Sequence, residues 1–524
     1  MSGFPRKKST QSKPRKAQAR KPTWRPRPHQ RRAVKFGLER PAAGLIMKPG
    51  LGKTSVALAI FDVLQTEDVV DQLWVITRKR VCENVWTLDD PEADLAKWAN
   101  FERFSLVEAY GPKRPRPVEA LPDDGDVYVF SFESFKDLVR RAVKPAKKKG
   151  GRPKTEYIVE PSVVRHLKRR RVMLLVDEST GVKHTSTDRF KRLRKLLPLF
   201  SRRYIATGTP RPNGLMDLFG QAYVLDLGAA LGPYITHFRN NYFSPTGYGG
   251  YTWVPQPGAE ERIYERLKEL FLTLDYSDYR ELPPLIEQDI KVTLPPTARK
   301  AYDKLEKEFF LEFDSGVVDA KNAGTASNKL RQIANGGVYT QRDLLSLDPS
   351  DSPKKEKRKS IVLHDEKTRA ALELLDELGD EAQVMIAYEF HHDLERLRAA
   401  LGEDTPYIGG GAPVKMVKRA IADWNAGRPM RLLVQPGSAA HGLNLHRGGT
   451  AIILHSLFWD YEHYEQLLFR IRRADRTEPV YLYRILARGT VDTLRVSPAL
   501  RDKAAGQDAF IEAVRSYRAS KSRK

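Results

Sequence analysis

The chain has 524 residues, 41% of them hydrophobic, and a formal net charge of +24. That is enough apolar content for two or more cores and too much positive charge for an ordinary metabolic enzyme, so a polyanion held through phosphate contacts is the expected partner. A single cysteine, Cys82, excludes an internal disulfide framework and a cysteine zinc cluster. No apolar run is long enough to span a membrane and the basic N-terminus lacks a signal-peptide core, so a cytoplasmic protein without a membrane partner is expected.

Residues 1–40 hold 14 Lys/Arg against one acid, Glu39. Residues 1–22 read as a disordered basic arm, either touching nucleic acid non-specifically or acting as a solubilising tail. Trp24 and Gln30 follow, and a glutamine amide can pair both donor and acceptor with an adenine edge. Gly44 to Met47 then reads as a buried parallel strand, Lys48 to Gly52 as a glycine turn, and Ser55 to Ile60 as part of a helix. Such a turn cradles polyphosphate on backbone N–H groups at a helix N-terminus. The expected nucleotide-binding residues are Gly50, Leu51, Gly52, Lys53, Thr54 and Ser55, with Lys53 reaching the β/γ phosphates and Thr54 binding Mg²⁺.

Strand Leu73–Thr77, a helical segment reaching Trp98, strand Asp126–Ser131 and a helix from Glu133 predict a parallel α/β sheet covered on both faces. Residues 140–171 interrupt this with 13 Lys/Arg against two acids; Gly151-Arg152-Pro153 among lysines resembles a minor-groove-binding AT-hook, with generic phosphate contact as the stronger reading. The apolar run Val172–Val176 stops at Asp177-Glu178, placing two acids at the carboxyl edge of the sheet beside the phosphate loop. There Asp177 can hold Mg²⁺ and Glu178 can orient or deprotonate the attacking water. Arg203 to Pro210 is another short strand, running into small hydroxyl residues.

The second half repeats the alternation with strand Gln383–Tyr388, helix Leu394–Leu401, and strands Arg431–Val434 and Thr450–Leu454, but with no phosphate loop. Two such lobes would hold a nucleotide between them. Gln466, Arg470 and Arg473 lie at spacings that put them on one helix face, where arginines could stabilise charge on a γ-phosphate across the cleft. Between the lobes, Ala298–Phe313 and Ala326–Gly337 read as helices and 348–360 as a charged loop; Ala499–Val514 reads as a C-terminal helix.

Gly50-Leu51-Gly52-Lys53-Thr54, Asp177-Glu178-Ser179 and Thr207-Gly208-Thr209-Pro210 resemble motifs I, II and III of superfamily 2 helicase-like ATPases, more narrowly the SNF2 group. Gly437 to Leu445, with Gly442 at the nucleotide, is similar to motif V, and Gln466, Arg470 and Arg473 have the spacing of motif VI. The resemblance implies two RecA-like lobes with a helical insertion and basic extensions. It implies Mg²⁺ and ATP use, with translocation along double-stranded DNA in replication, repair or recombination, where a protein partner could recruit it. The corresponding boundaries are arm 1–22, lobe one 23–285, inter-lobe segment 286–360, lobe two 361–500 and C-terminal helix and tail 501–524. Three departures stand out: Lys48-Pro49 where the family has an acid and methionine, Ser179-Thr180 in place of Ala-His, and Asp475-Arg476 in place of Gly-Gln. The compact form resembles bacterial and phage members. A strand-separating helicase acting on DNA or RNA, and a basic DNA-binding scaffold with a degenerate ATPase, are the alternatives.

Overall fold

A computed structural model describes residues 21–111, 122–144, 154–246, 252–275, 282–308, 310–313, 316–319, 323–340, 360–439, 445, 448–473, 476–506 and 508. The basic arm before residue 21, the AT-hook-like run, most of the 348–360 loop, the tail after 508 and Gly442 fall outside that set.

The first lobe is a seven-stranded, all-parallel sheet. From one edge to the other its strands are Phe271–Leu274, Ala42–Met47, Arg202–Thr207, Val172–Asp177, Gln72–Thr77, Val127–Ser131 and Leu106–Glu108. These strands are apolar on both sides because helices cover both faces. Ile46, Trp74, Ile76, Leu174 and Ile205 join one core, while Leu45, Leu73, Val75, Met173 and Leu175 join the other. Register sets Asp177 opposite Ala206 and Ile46 opposite Thr207, so the three strand ends that carry the sequence motifs emerge on one edge.

The second lobe is a six-stranded parallel sheet, ordered Leu285–Val292, Val480–Ala487, Ala451–Leu454, Gln383–Ala387, Met430–Val434 and Tyr407–Ile408. Its two faces likewise bury separate cores. The α/β class, with two RecA-like parallel lobes, is therefore as expected. The strand Leu285–Val292 begins at the last residue of the expected first lobe and runs through the expected inter-lobe segment, yet it pairs over its whole length with Val480–Ala487 of the second sheet. Helices Pro296–Glu308 and Ala323–Asn335 pack on a small core of their own around Tyr302, Leu330 and Ile333.

Several local expectations fail for identifiable reasons. The helix expected from Glu133 is only a 3₁₀ turn, Ser134–Leu138, followed by strand Val139–Lys144. Ser131 N donates to Ser134 Oγ at 2.9 Å and Ser134 N to Ser131 Oγ at 3.0 Å, local bonds that compete with helix propagation. The basic insertion is ordered at its root: Val139–Lys144 and Lys154–Val159 form an antiparallel hairpin, and Pro161–Arg169 a helix. The segment before Trp98 holds two short helices, Lys79–Asn84 and Asp94–Lys97. The helix from Pro296 stops at Glu308, and Phe310–Phe313 is a strand paired with Gly316–Asp319. No helix among the described residues is long and apolar enough to cross a membrane.

Candidate functional site

The loop between Met47 and Lys53 turns on two glycines in the left-handed region, Gly50 at φ 81° and Gly52 at φ 84°, a conformation glycine adopts at no steric cost. Gly52 caps the helix Lys53–Thr66. A Cβ at Gly52 would meet Gln30 Nε2 at 2.4 Å, whereas at Gly50 nothing lies within 4 Å. Gln30, expected at an adenine edge, donates from Nε2 to Leu51 O at 3.2 Å and accepts from Arg27 N at 3.0 Å, supporting the loop from beneath. His29 Nε2 lies 3.4 Å from the same carbonyl.

Lys53 Nζ donates to Met47 O at 3.4 Å and lies 3.9 Å from Glu178 Oε1, so the loop lysine and the second acid face each other. Ser55 Oγ donates to Asp94 Oδ2 at 2.7 Å inside the first lobe, which leaves its backbone N–H as the group able to face a phosphate. Asp177 is buried; its Oδ2 accepts from Trp86 Nε1 at 2.9 Å and its Oδ1 from Glu178 N at 3.1 Å. Burial, with the neighbouring Glu178 carboxylate, pushes Asp177 up to about 6. Glu178 sits at φ 53°, left-handed backbone that a non-glycine residue seldom adopts. Its Oε2 is buried without a hydrogen-bond partner.

Mg²⁺ fits this donor set. Asp177 keeps lone pairs beyond the two N–H groups it accepts, and a cation would relieve the charge repulsion between the paired acids. Among the described residues no cluster of three or more His, Cys, Asp or Glu could hold an ion alone. An ion at Asp177 and Thr54 would therefore take its other ligands from phosphate and water, the usual habit of Mg²⁺.

The second lobe presents the helix Tyr461–Ile471 to this edge. Asp460 caps it, accepting from Glu462 N at 2.9 Å and His463 N at 3.3 Å. Glu462, Glu465, Gln466 and Arg470 follow one another at helical spacing. Arg470 is lowered to about 10 by burial and by nearby Arg473, with Glu178 opposing. Arg473 is not on that helix as expected: the helix ends at Ile471 and the chain turns at Arg472, whose Nε donates to Pro283 O at 3.0 Å. Gln466 Nε2 donates to Glu462 Oε1 at 3.4 Å, and its Oε1 is buried without a partner.

Three contacts close the lobes that no sequence pattern announced. Glu462 Oε1 accepts from Arg78 Nη2 and from Thr180 Oγ1, each at 2.9 Å. Burial pushes Glu462 up to about 7, Arg78 opposing and Glu178 adding. Lys48 Nζ pairs with Glu465, both side chains buried. Lys503 Nζ, beyond the second sheet, reaches Asn213 Oδ1 of lobe one at 3.3 Å and Trp459 O of lobe two at 2.6 Å.

Comparison with known proteins finds several relatives. The chain is 28% identical over 507 residues to protein p41 of Acyrthosiphon pisum secondary endosymbiont phage 1, covering 94% of this chain and 99% of the relative. It is 25% identical over 332 residues to an uncharacterized ATP-dependent helicase of Mycoplasma pneumoniae, covering 62% of this chain but only 29% of that longer protein. The SWI2/SNF2 ATPase core of Sulfolobus solfataricus in complex with double-stranded DNA aligns over 94% of both chains at 19% identity, with a TM-score of 0.39. The family model of the SNF2-related domain matches residues 29–342, more than half of the chain, and the protein belongs to that family.

Proposed function

We propose that this protein is a Mg²⁺-dependent ATPase that couples hydrolysis in the cleft between its lobes to movement along double-stranded DNA. The observation that carries the reading is Lys53 standing 3.9 Å from Glu178 on lobe one, with the helix that bears Arg470 docked against that lobe through Glu462 and Glu465. ATP would lie on the turn Gly50–Gly52, its β and γ phosphates drawing Lys53 Nζ away from Met47 O and Glu178. Bound at Thr54 and Asp177, the divalent cation supplies charge neutralisation on the phosphates. Glu178 Oε2, buried without a partner, is the base that orients the attacking water and accepts its proton. Arg470 and Arg473 then stabilise charge on the γ-phosphoryl group, and Gln466 carries the state of the site along its helix. An arginine supplied across a cleft is worth on the order of 10³–10⁵ in rate where it operates.

Net charge and relatives favour a nucleic-acid partner. A chain with a net charge of +24 attracts a polyanion through counterion release, and the Mycoplasma relative is named an ATP-dependent helicase. Hydrolysis that opens and closes two lobes gripping one duplex produces stepping.

Steady-state ATP hydrolysis with no nucleic acid, duplex DNA, single-stranded DNA or RNA tests this, with Lys53→Ala as blank. Stimulation by duplex DNA is expected, with Lys53→Ala and Glu178→Gln each losing on the order of 10²-fold or more in kcat while DNA binding persists. Stimulation by single strands or RNA alone would replace translocation by strand separation. No turnover under any condition would leave a DNA-binding scaffold.

A further inference from the structure

The helix Tyr461–Ile471 touches lobe one at two of the three places where the sequence departs from the family pattern. Lys48 takes Glu465, and Thr180 takes Glu462. The two glutamates are three residues apart and so share a helix face. Each contact is buried: Lys48 and Glu465 expose 7% and 4% of their side chains. Glu465 Oε2 has no hydrogen-bond partner, and the pair borders a cavity of about 660 Å³ lined also by Asp275, Arg484 and Asp508. A buried ion pair with one oxygen unsatisfied is a poor permanent stabiliser, because desolvation offsets most of its attraction. Beside a charged cavity, however, it can part and hydrate without stranding a dry charge.

We infer that Lys48 and Glu465 form an inter-lobe latch, a pair of positioning residues that makes and breaks as the lobes close and open, setting Arg470 over the phosphate loop in the closed state. The departures at Lys48 and Thr180 are then matched replacements for a docking face. Glu465 and Arg470 lie five apart on one rigid helix, so seating the first fixes the height of the second. The pair acts on turnover through Arg470 and touches no reacting atom. This inference rests on the ATPase reading for its catalytic consequence but not for the contact itself.

The test uses the full chain with donor and acceptor dyes at Leu88→Cys on lobe one and Val414→Cys on lobe two, both exposed, while Cys82 is buried. Dye separation is read without nucleotide and turnover with ATP and duplex DNA, for Lys48→Glu, Glu465→Lys and the double charge reversal. Each single variant is expected to widen the separation and to lower kcat about tenfold, with a smaller change in KM; the double variant should recover both to within about threefold. A single variant that fails to fold beside a double that folds is also recovery. Singles with unchanged separation, or a double no better than the singles in folding, separation and turnover, overturn the latch. Absence of turnover in the unaltered chain overturns the ATPase reading instead, and dye separation still decides the latch.

Discussion

Asp393 and Glu465 are both carboxylates with almost no exposed side-chain surface, 0% and 4%, and they are held in opposite ways. Asp393, inside lobe two, accepts from Asn335 Nδ2 at 3.0 Å, Ser456 Oγ at 2.7 Å, Phe390 N at 3.1 Å and Arg396 Nη2 at 3.0 Å. Around it Lys367, wholly buried, reaches Asn335 Oδ1 at 2.7 Å and Asp492 Oδ2 at 2.6 Å. Burial by itself would raise Asp393, but His392, His455 and Arg396 outweigh it and hold the carboxyl well below the usual range. Glu465, between the lobes, has Lys48 and one oxygen left over. Charge that never meets water is saturated with partners, and charge on a face that opens is left with few. The difference separates what keeps lobe two folded from what lets the two lobes move.

The largest expected effect falls on the saturated network. Asp393→Ala takes one of two carboxylates from Arg396, which keeps Asp365, leaves Asn335 and Ser456 without their acceptor, and should cost about 3–5 kcal/mol, read as a lowered denaturation midpoint. A loss below about 1 kcal/mol would erase the contrast.

A second effect is pH-dependent. Burial, with Lys367, Arg396 and His392 adding and Asp393 opposing, lowers His455 from 6.5 to about 3. The unfolded chain therefore binds a proton that the folded chain refuses, and the contribution of this histidine is full above pH 6.5 and lost as pH falls towards 3. Near pH 5 that is about 1 kcal/mol for each unit. Thermal melts should show the slope in the unaltered chain and a shallower one in His455→Gln; parallel slopes would remove His455 from the account.

The smallest change in stability is expected at the lobe face. Glu465→Gln should alter the folding midpoint by less than about 1 kcal/mol, because an unpaired Lys48 can hydrate when the lobes part. A loss like that of Asp393→Ala would make the face as permanent as the interior.

The glycine turn before Lys53 and the strand end at Asp177-Glu178 were legible in the sequence because each is a local pattern: an apolar strand, then a turn or an acid at its end. The parallel sheets followed from the same alternation. The partners of those residues were not legible. Trp86 holds Asp177 from 91 residues away and Lys48 meets Glu465 across 417, and no periodicity encodes a pairing of that range. Arg473 was misplaced because spacing assumes that a helix continues, whereas this one ends when Arg472 binds Pro283 O. The Ser131–Ser134 exchange defeated a helix for the converse reason, a local bond stronger than a local propensity.

Glu178 stands on backbone at φ 53°. For an L-residue such a conformation costs on the order of 1–3 kcal/mol, and glycine or asparagine would occupy it more comfortably. A search for hardier versions of this protein that scored melting temperature alone would thus be drawn to replace the one side chain assigned to activating water. Robustness and turnover are opposed at a single residue, and a thermostable descendant would have to find its gains elsewhere in the chain.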